Sequence, residues 1–216
     1  MELEEIFALA ASTSNLICYA SPLFASIEFY KQKTTGNTAS LPLVSTFSSS
    51  IFWLVYGLLS VNSMLIRINS FSLFLFTIYI AIYYAYCHTA VQLFSELRFV
   101  FYLALFVFPS VALVHRFVDA HKAMLAMGLV CNSLTISVYA APLGTLQEVI
   151  KQRNTSSMSP PLILANWLSA AVWSAYGIVI NDIFIIVPNS LGLVLCSIQC
   201  GLLLVYPRLP TGKKDE

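Results

Sequence analysis

Residues 49–70 read SSIFWLVYGLLSVNSMLIRINS, and residues 169–190 read SAAVWSAYGIVINDIFIIVPNS. Laid over each other without a gap, they set Ser on Ser, Trp on Trp, Tyr-Gly on Tyr-Gly and Asn-Ser on Asn-Ser. The register is a shift of 120 residues (169 − 49 = 120), and it extends over 15–86 against 135–206. Tyr19, Pro22 and Glu28 then meet Tyr139, Pro142 and Glu148, and Lys31, Gln32 and Thr35 meet Lys151, Gln152 and Thr155. Matches on Trp, Pro, Glu and Asn are not what shared apolar composition produces by chance. The chain is a duplication, and a repeat must be recognised before any motif is read.

What is duplicated follows from composition. Of 216 residues, 58% are hydrophobic and only 10% are charged, too few charges to clothe a water-soluble domain. A hydrocarbon core about 30 Å thick takes about 20 apolar residues per helix. Apolar runs predict spans at 6–30, 41–60, 64–87, 97–114, 123–150, 160–180 and 184–206. The expected fold is all-α: seven transmembrane helices, as two parallel three-helix repeats (1–92 and 119–207) joined by a linker helix (93–118), with a short tail at 208–216. Each repeat has an odd number of spans, so the unpaired fourth helix is what gives both copies the same orientation. Parallel repeats of this kind face each other across an axis along the membrane normal, with substrate expected at their interface near the midplane.

Orientation follows from basic residues, which favour the cytoplasmic side. With the N-terminus outside, Lys31, Lys33, Arg98, Lys151, Arg153, Arg208, Lys213 and Lys214 lie inside, against Arg67, Arg116 and Lys122 outside. The C-terminus is then cytoplasmic, and Asn154-Thr155-Ser156 faces the cytoplasm without sugar. The acidic start MELEEIFALA reads as a retained end rather than a cleaved signal. A formal net charge of +1 gives no case for a nucleic-acid partner. Cys18, Cys87, Cys131, Cys196 and Cys200 lack metal or disulfide spacing, and Cys196 with Cys200 reads as small packing residues. No nucleophile–base set emerges, so no enzyme, metal or cofactor is expected.

The second helix of each repeat carries a face of its own. Ser49, Trp53 and Tyr56 are spaced i, i+4, i+7, and Ser169, Trp173 and Tyr176 repeat the pattern. An indole flanked by hydroxyls is an apolar plate with polar edges, suited to a sugar ring. The competing reading, an interfacial aromatic belt, needs no matching serine. Asn69 and Asn189 lie several residues into the third helices, where an amide must face the bundle interior or a cavity. Pro22, Pro42, Pro142 and Pro161 punctuate the helices, as hinges or as static kinks. Glu28 and Glu148 sit at matched helix ends, and no carboxylate lies deep in an apolar run. Ion-driven carriers place ionisable groups in the pathway, so uncoupled, downhill movement is expected.

These motifs resemble a known family. Residues 132–199, NSLTISVYAAPLGTLQEVIKQRNTSSMSPPLILANWLSAAVWSAYGIVINDIFIIVPNSLGLVLCSIQ, are similar to the second repeat of the SWEET (MtN3/saliva) sugar transporters. ASPLF (20–24), LPLVSTFSSSIFWLVYG (41–57) and IRINSFS (66–72) are similar to the first. That family is itself an instance of the parallel-repeat arrangement. The resemblance implies a sugar uniporter that works by alternating access in a lipid bilayer. It implies pocket asparagines at Asn69 and Asn189, pocket tryptophans at Trp53 and Trp173, and serines at Ser49 and Ser169. It further implies size-tuning positions at Cys18 and Val138, a proline tetrad at Pro22, Pro42, Pro142 and Pro161, and an outer gate of Tyr56 with Asp182, Tyr176 holding the matched place. The chain departs from the family in having Ser12-Thr13-Ser14-Asn15 where a Gly-Asn pair is common, and Ile68 opposite Pro188.

Two other readings compete with this one. A PQ-loop carrier of another small solute would show Pro-Gln at the helix corners, where this chain has Pro42-Leu43 and Pro161-Leu162. A seven-helix receptor would lack a three-helix duplication. The plasma membrane is the expected location, with vacuole or Golgi as alternatives, and a homo-oligomer is compatible with the sequence.

Overall fold

The computed structural model describes residues 3–208, with residues 140 and 141 by backbone only. The part of the expected tail from 209 onward, Lys213 and Lys214 included, lies outside the described residues. The described residues are helical almost throughout, in the order α1 (Leu3–Gln32), α2 (Leu41–Leu59), α3 (Ser63–Tyr86), α4 (Val91–Phe117), α5 (Ala120–Ser137), α6 (Ala140–Gln152), α7 (Pro160–Val179) and α8 (Ile183–Val205). Counting α5 with α6 as one crossing, seven are long and apolar enough to cross a membrane. The fold is the all-α, seven-span class expected.

Two differences from the predicted spans have physical causes. Helices α1 and α4 run past the expected ends and take in Glu4, Glu5, Lys31, Glu96 and Arg116. Hydropathy marks the hydrocarbon, whereas a helix of 30 residues is about 45 Å long and carries its charged ends into the interfaces. The fifth span, expected as one helix over 123–150, is instead broken at Val138 and Tyr139. There Val138 N–H donates to Thr135 O (3.3 Å) and Tyr139 N–H to Ile136 O (3.0 Å), the tighter i−3 pattern. Pro142 lacks the N–H that would have bonded Val138 O. The matched Pro22 sits inside an unbroken α1.

The chain divides into two compact units. One is Asn15–Cys131; the other joins the chain up to Ser14 to Asn132 onward. In the first, α2 and α3 form a hairpin, and Phe29, Val44, Tyr83, Leu93 and Val100 make a buried cluster that holds the start of α4 against α1, α2 and α3. Phe29 and Tyr83 meet edge to face at 5.9 Å. Thr35 N–H donates to Tyr86 O (3.2 Å), and the buried Ser40 hydroxyl to Glu96 Oε2 (2.7 Å). In the second unit, α7 and α8 form the equivalent hairpin. Val149, Met158, Ile163 and Cys196 are its buried cluster, with Trp167 and Cys200 against it. Thr155 N–H donates to Pro207 O (3.0 Å), so the matched threonines tie loop to helix end in both copies.

Each hairpin closes with the same turn. Asn62 N–H bonds Gly57 O and Val61 N–H bonds Leu58 O; Asp182 with Gly177 and Asn181 with Ile178 repeat this. These are paired 6→1 and 5→2 helix-ending bonds, which require a left-handed residue between them. That residue is Val61 (φ 54°) in one copy and Asn181 (φ 53°) in the other. A β-branched residue is strained there, while Asn is tolerated. Val61 is 84% exposed, so replacing it costs little burial. Val61→Asn should therefore stabilise the protein by about 1 kcal/mol, read as a raised midpoint in thermal unfolding of the detergent-solubilised protein. An unchanged or lowered midpoint would show that the turn stores no strain.

Candidate functional site

Each unit presents one half of the predicted constellation. In α2, Trp53 and Tyr56 stack edge to face with centroids 5.5 Å apart and an 83° tilt. In α7, Trp173 and Tyr176 do the same at 6.0 Å and 87°. The tyrosines are wholly buried, Trp173 is buried and Trp53 half-buried. Each phenol ring thus braces an indole against rotation, and the expected gate residues Tyr56 and Tyr176 share this packing role.

The asparagines match in detail. Asn69 Nδ2 donates to Leu65 O (2.8 Å) and Asn189 Nδ2 to Ile185 O (2.7 Å). A backbone carbonyl only accepts, so the amide orientation is chemically forced: nitrogen toward the helix, oxygen away from that carbonyl. One N–H is used in the back-bond. The second N–H and the carbonyl lone pairs are the groups with which such an amide can grip a hydroxyl as donor or acceptor.

The remaining predicted residues fall in varied settings. Ser49 is half-buried. Ser169 Oγ lies 3.2 Å from Ser14 Oγ, so the start of α1 runs beside α7 within one compact unit. Cys18 is exposed on α1, and Val138, 57% exposed, stands in the α5–α6 break. Pro42 and Pro161 are each the second residue of a helix, where a missing N–H costs nothing. Pro22 lies within α1 and Pro142 in the first turn of α6. Asp182 has a structural duty: its Oδ1 accepts from Phe184 N–H (2.9 Å) and caps α8. The matched Asn62 caps α3 through Leu65 N–H (3.0 Å). Glu28 and Glu148 accept from Gln32 and Gln152 one turn on, a matched helix-end pairing. Among the described residues no group of three His, Cys, Asp or Glu side chains could hold a metal.

Several residues behind these faces were not singled out from sequence. In the first unit Asn15 Nδ2 donates to the Tyr19 hydroxyl (3.4 Å). Ser72 and Ser50 hydroxyls are 2.7 Å apart, and Ser50 Oγ is 2.8 Å from Thr46 O. The Ser50 hydroxyl thus has two acceptors within reach, Ser72 Oγ and Thr46 O. The serine pair links α2 to α3. Tyr79 donates to Tyr19 O (3.0 Å) from the other side. In the second unit Tyr139 donates to Pro188 O (2.6 Å), and Trp167 Nε1 to Ser197 Oγ (2.9 Å). The tyrosine pair Tyr19 and Tyr139 was visible in the repeat, but Tyr79 and Pro188, which they meet on other helices, lie 60 and 49 residues away in sequence.

A duplicated three-helix unit with matched indole and amide faces defines a class of membrane carrier, and comparison with known proteins fixes the family. A family model described as a sugar efflux transporter for intercellular exchange matches twice, over residues 5–90 and 125–211. The second match starts 120 residues after the first (125 − 5), the shift read from the sequence, and the gap holds α4. The chain belongs to this family, the SWEET or MtN3 proteins. It is 33% identical over 204 residues to the sugar transporter SWEET1 of Drosophila pseudoobscura pseudoobscura, covering 94% of this chain and 89% of that one. It is also 33% identical over 204 residues to the bidirectional sugar transporter N3 of Medicago truncatula, covering 93% and 75%. The solved structure of a eukaryotic SWEET transporter superposes with a TM-score of 0.78 at 25% identity, covering 94% of this chain and 98% of that chain.

The serine pair yields a stability prediction. Ser50 and Ser72 are both buried, so Ser72→Ala removes the hydrogen bond between them and should cost about 1 kcal/mol, measured by thermal unfolding in detergent. A midpoint equal to wild type would show that the pair contributes nothing.

Proposed function

We propose that this protein carries a mono- or disaccharide across a membrane in either direction, as an uncoupled uniporter working by alternating access. The observation that carries the reading is the matched pair Asn69 and Asn189, back-bonded alike and each accompanied by a tyrosine-braced indole, in a chain whose relatives are named sugar transporters. The amides supply both hydrogen-bonding senses and the indoles supply flat apolar surface, the two things a sugar ring presents its own edges and faces to. Ser49, Ser169, Cys18 and Val138 complete the proposed pocket and set its size.

Tyr56, Tyr176 and Asp182 form the proposed outer gate, and the prolines the hinges. Of these, Pro142 beside the α5–α6 break has the clearest mechanical support. Lack of coupling is supported by where the acids lie: Glu28 and Glu148 near helix ends, paired with glutamines, and Asp182 in a cap. The proposed orientation keeps the N-terminus outside and the C-terminus in the cytoplasm, at the plasma membrane.

Asn69→Ala and Asn189→Ala should each cut uptake of radiolabelled sugar into proteoliposomes about tenfold or more, with insertion and folding retained. Wild-type uptake in both would remove the pocket assignment. Uptake by the wild type should not change when a pH gradient is imposed; stimulation by inward protons would replace the uniporter reading with a coupled one.

A further inference from the structure

Tyr19 and Tyr139 occupy the same repeat position yet hold different partners. The Tyr19 hydroxyl accepts from Asn15 Nδ2 at 3.4 Å, whereas Tyr139 donates to the backbone carbonyl of Pro188 at 2.6 Å. The residue that decides between them is 72 in one copy and 192 in the other, Ser against Gly. A Cβ built on Gly192 would meet the Tyr139 hydroxyl at 2.7 Å, closer than real Cβ contacts allow. Gly192 is therefore the opening through which the phenol reaches the helix backbone.

The carbonyl it reaches is specific in its consequences. Pro188 O and Asn189 N belong to one planar peptide unit, so holding the oxygen holds the plane from which Asn189 projects. The carbonyl has a second lone pair, so it can take the phenol without giving up its helical role. Pro188 has no N–H, which leaves the turn before it one bond short and easier to deform. Asn189 is itself tied back to Ile185 O across that same turn. At its other end, Tyr139 is the second residue of the α5–α6 break and adjoins Val138. The first copy has none of this: Ile68 replaces the proline and α1 is unbroken.

We propose that Tyr139 is a positioning residue: its hydroxyl, seated over Gly192 on the Pro188 carbonyl, sets the amide of Asn189 and ties it to the break in the fifth span. The inference rests on the sugar-carrier reading above and adds a residue to it.

The test is carrier kinetics in proteoliposomes of the full chain, with radiolabelled glucose and sucrose as probes and thermal midpoints measured in parallel. Tyr139→Phe should raise KM about threefold to tenfold, the worth of one hydrogen bond, with a folded amount and midpoint near wild type. Gly192→Ala, which pushes the phenol off the carbonyl, should reproduce the raised KM. Gly192→Ser adds the same Cβ and should raise KM as Gly192→Ala does. A Tyr139→Phe KM within about twofold of wild type, below one hydrogen bond's worth, overturns the assignment. So does a loss of flux only in step with lost folded protein, or a wild-type KM for both Gly192→Ala and Gly192→Ser. If the wild type moves neither sugar, the carrier reading falls first and takes this inference with it, a result distinct from the others.

Discussion

The close approach of two helix backbones at Gly57 and at Gly177 governs the geometry of each unit. A Cβ on Gly57 would sit 3.0 Å from Leu65 Cβ and 3.2 Å from Ile66 N; on Gly177 it would sit 3.0 Å from Ile186 N. Each glycine is also the acceptor of the 6→1 bond that ends its helix, so one residue both closes the hairpin and sets its spacing. The adjacent Tyr56 and Tyr176, and the indoles they brace, are carried at fixed height relative to Asn69 and Asn189. The amide and aromatic faces of a unit are in this sense one rigid piece.

On that shared frame the two copies have diverged in how they satisfy polar atoms. Hydrocarbon offers no hydrogen-bonding alternative, so each buried hydroxyl and each backbone group freed by proline needs an internal partner. The first copy meets the demand with side-chain bonds, Asn15 to Tyr19 and Ser50 to Ser72 and Thr46, and keeps α1 continuous. The second meets it with a phenol on a backbone carbonyl and an indole on Ser197, and breaks its first helix. Identical tyrosines and identical prolines therefore serve a stiff helix in one copy and a jointed one in the other.

The fold was legible because its signals are long and redundant. Spans of about twenty apolar residues, hairpins marked by Tyr-Gly and Asn, and a gapless repeat all agree, and α2, α3, α7 and α8 end within a residue or two of where hydropathy puts them. The matched Trp, Asn and Ser faces were legible through the repeat. What escaped depends on distant partners. Pro22 and Pro142 look alike in sequence, and only the surrounding bonds decide which helix breaks. The Ser14–Ser169 contact joins residues 155 apart. The Tyr139 bond turns on a missing Cβ at 192, which is invisible until α6 and α8 are packed. Asp182 carries a helix-capping signal, an acidic residue directly before an apolar run, which is independent of any part in a gate.

That cap has a bearing on genetics. Deleting the Asp182 side chain removes a charge and also frees the first turn of α8, the helix that carries Asn189 four residues after Ile185. A null phenotype for an alanine allele would confound two lesions, electrostatic and architectural. The chain already contains the reagent that separates them: Asn62 performs the same capping without a charge. An asparagine allele at 182 is thus the one whose phenotype speaks to the carboxylate alone.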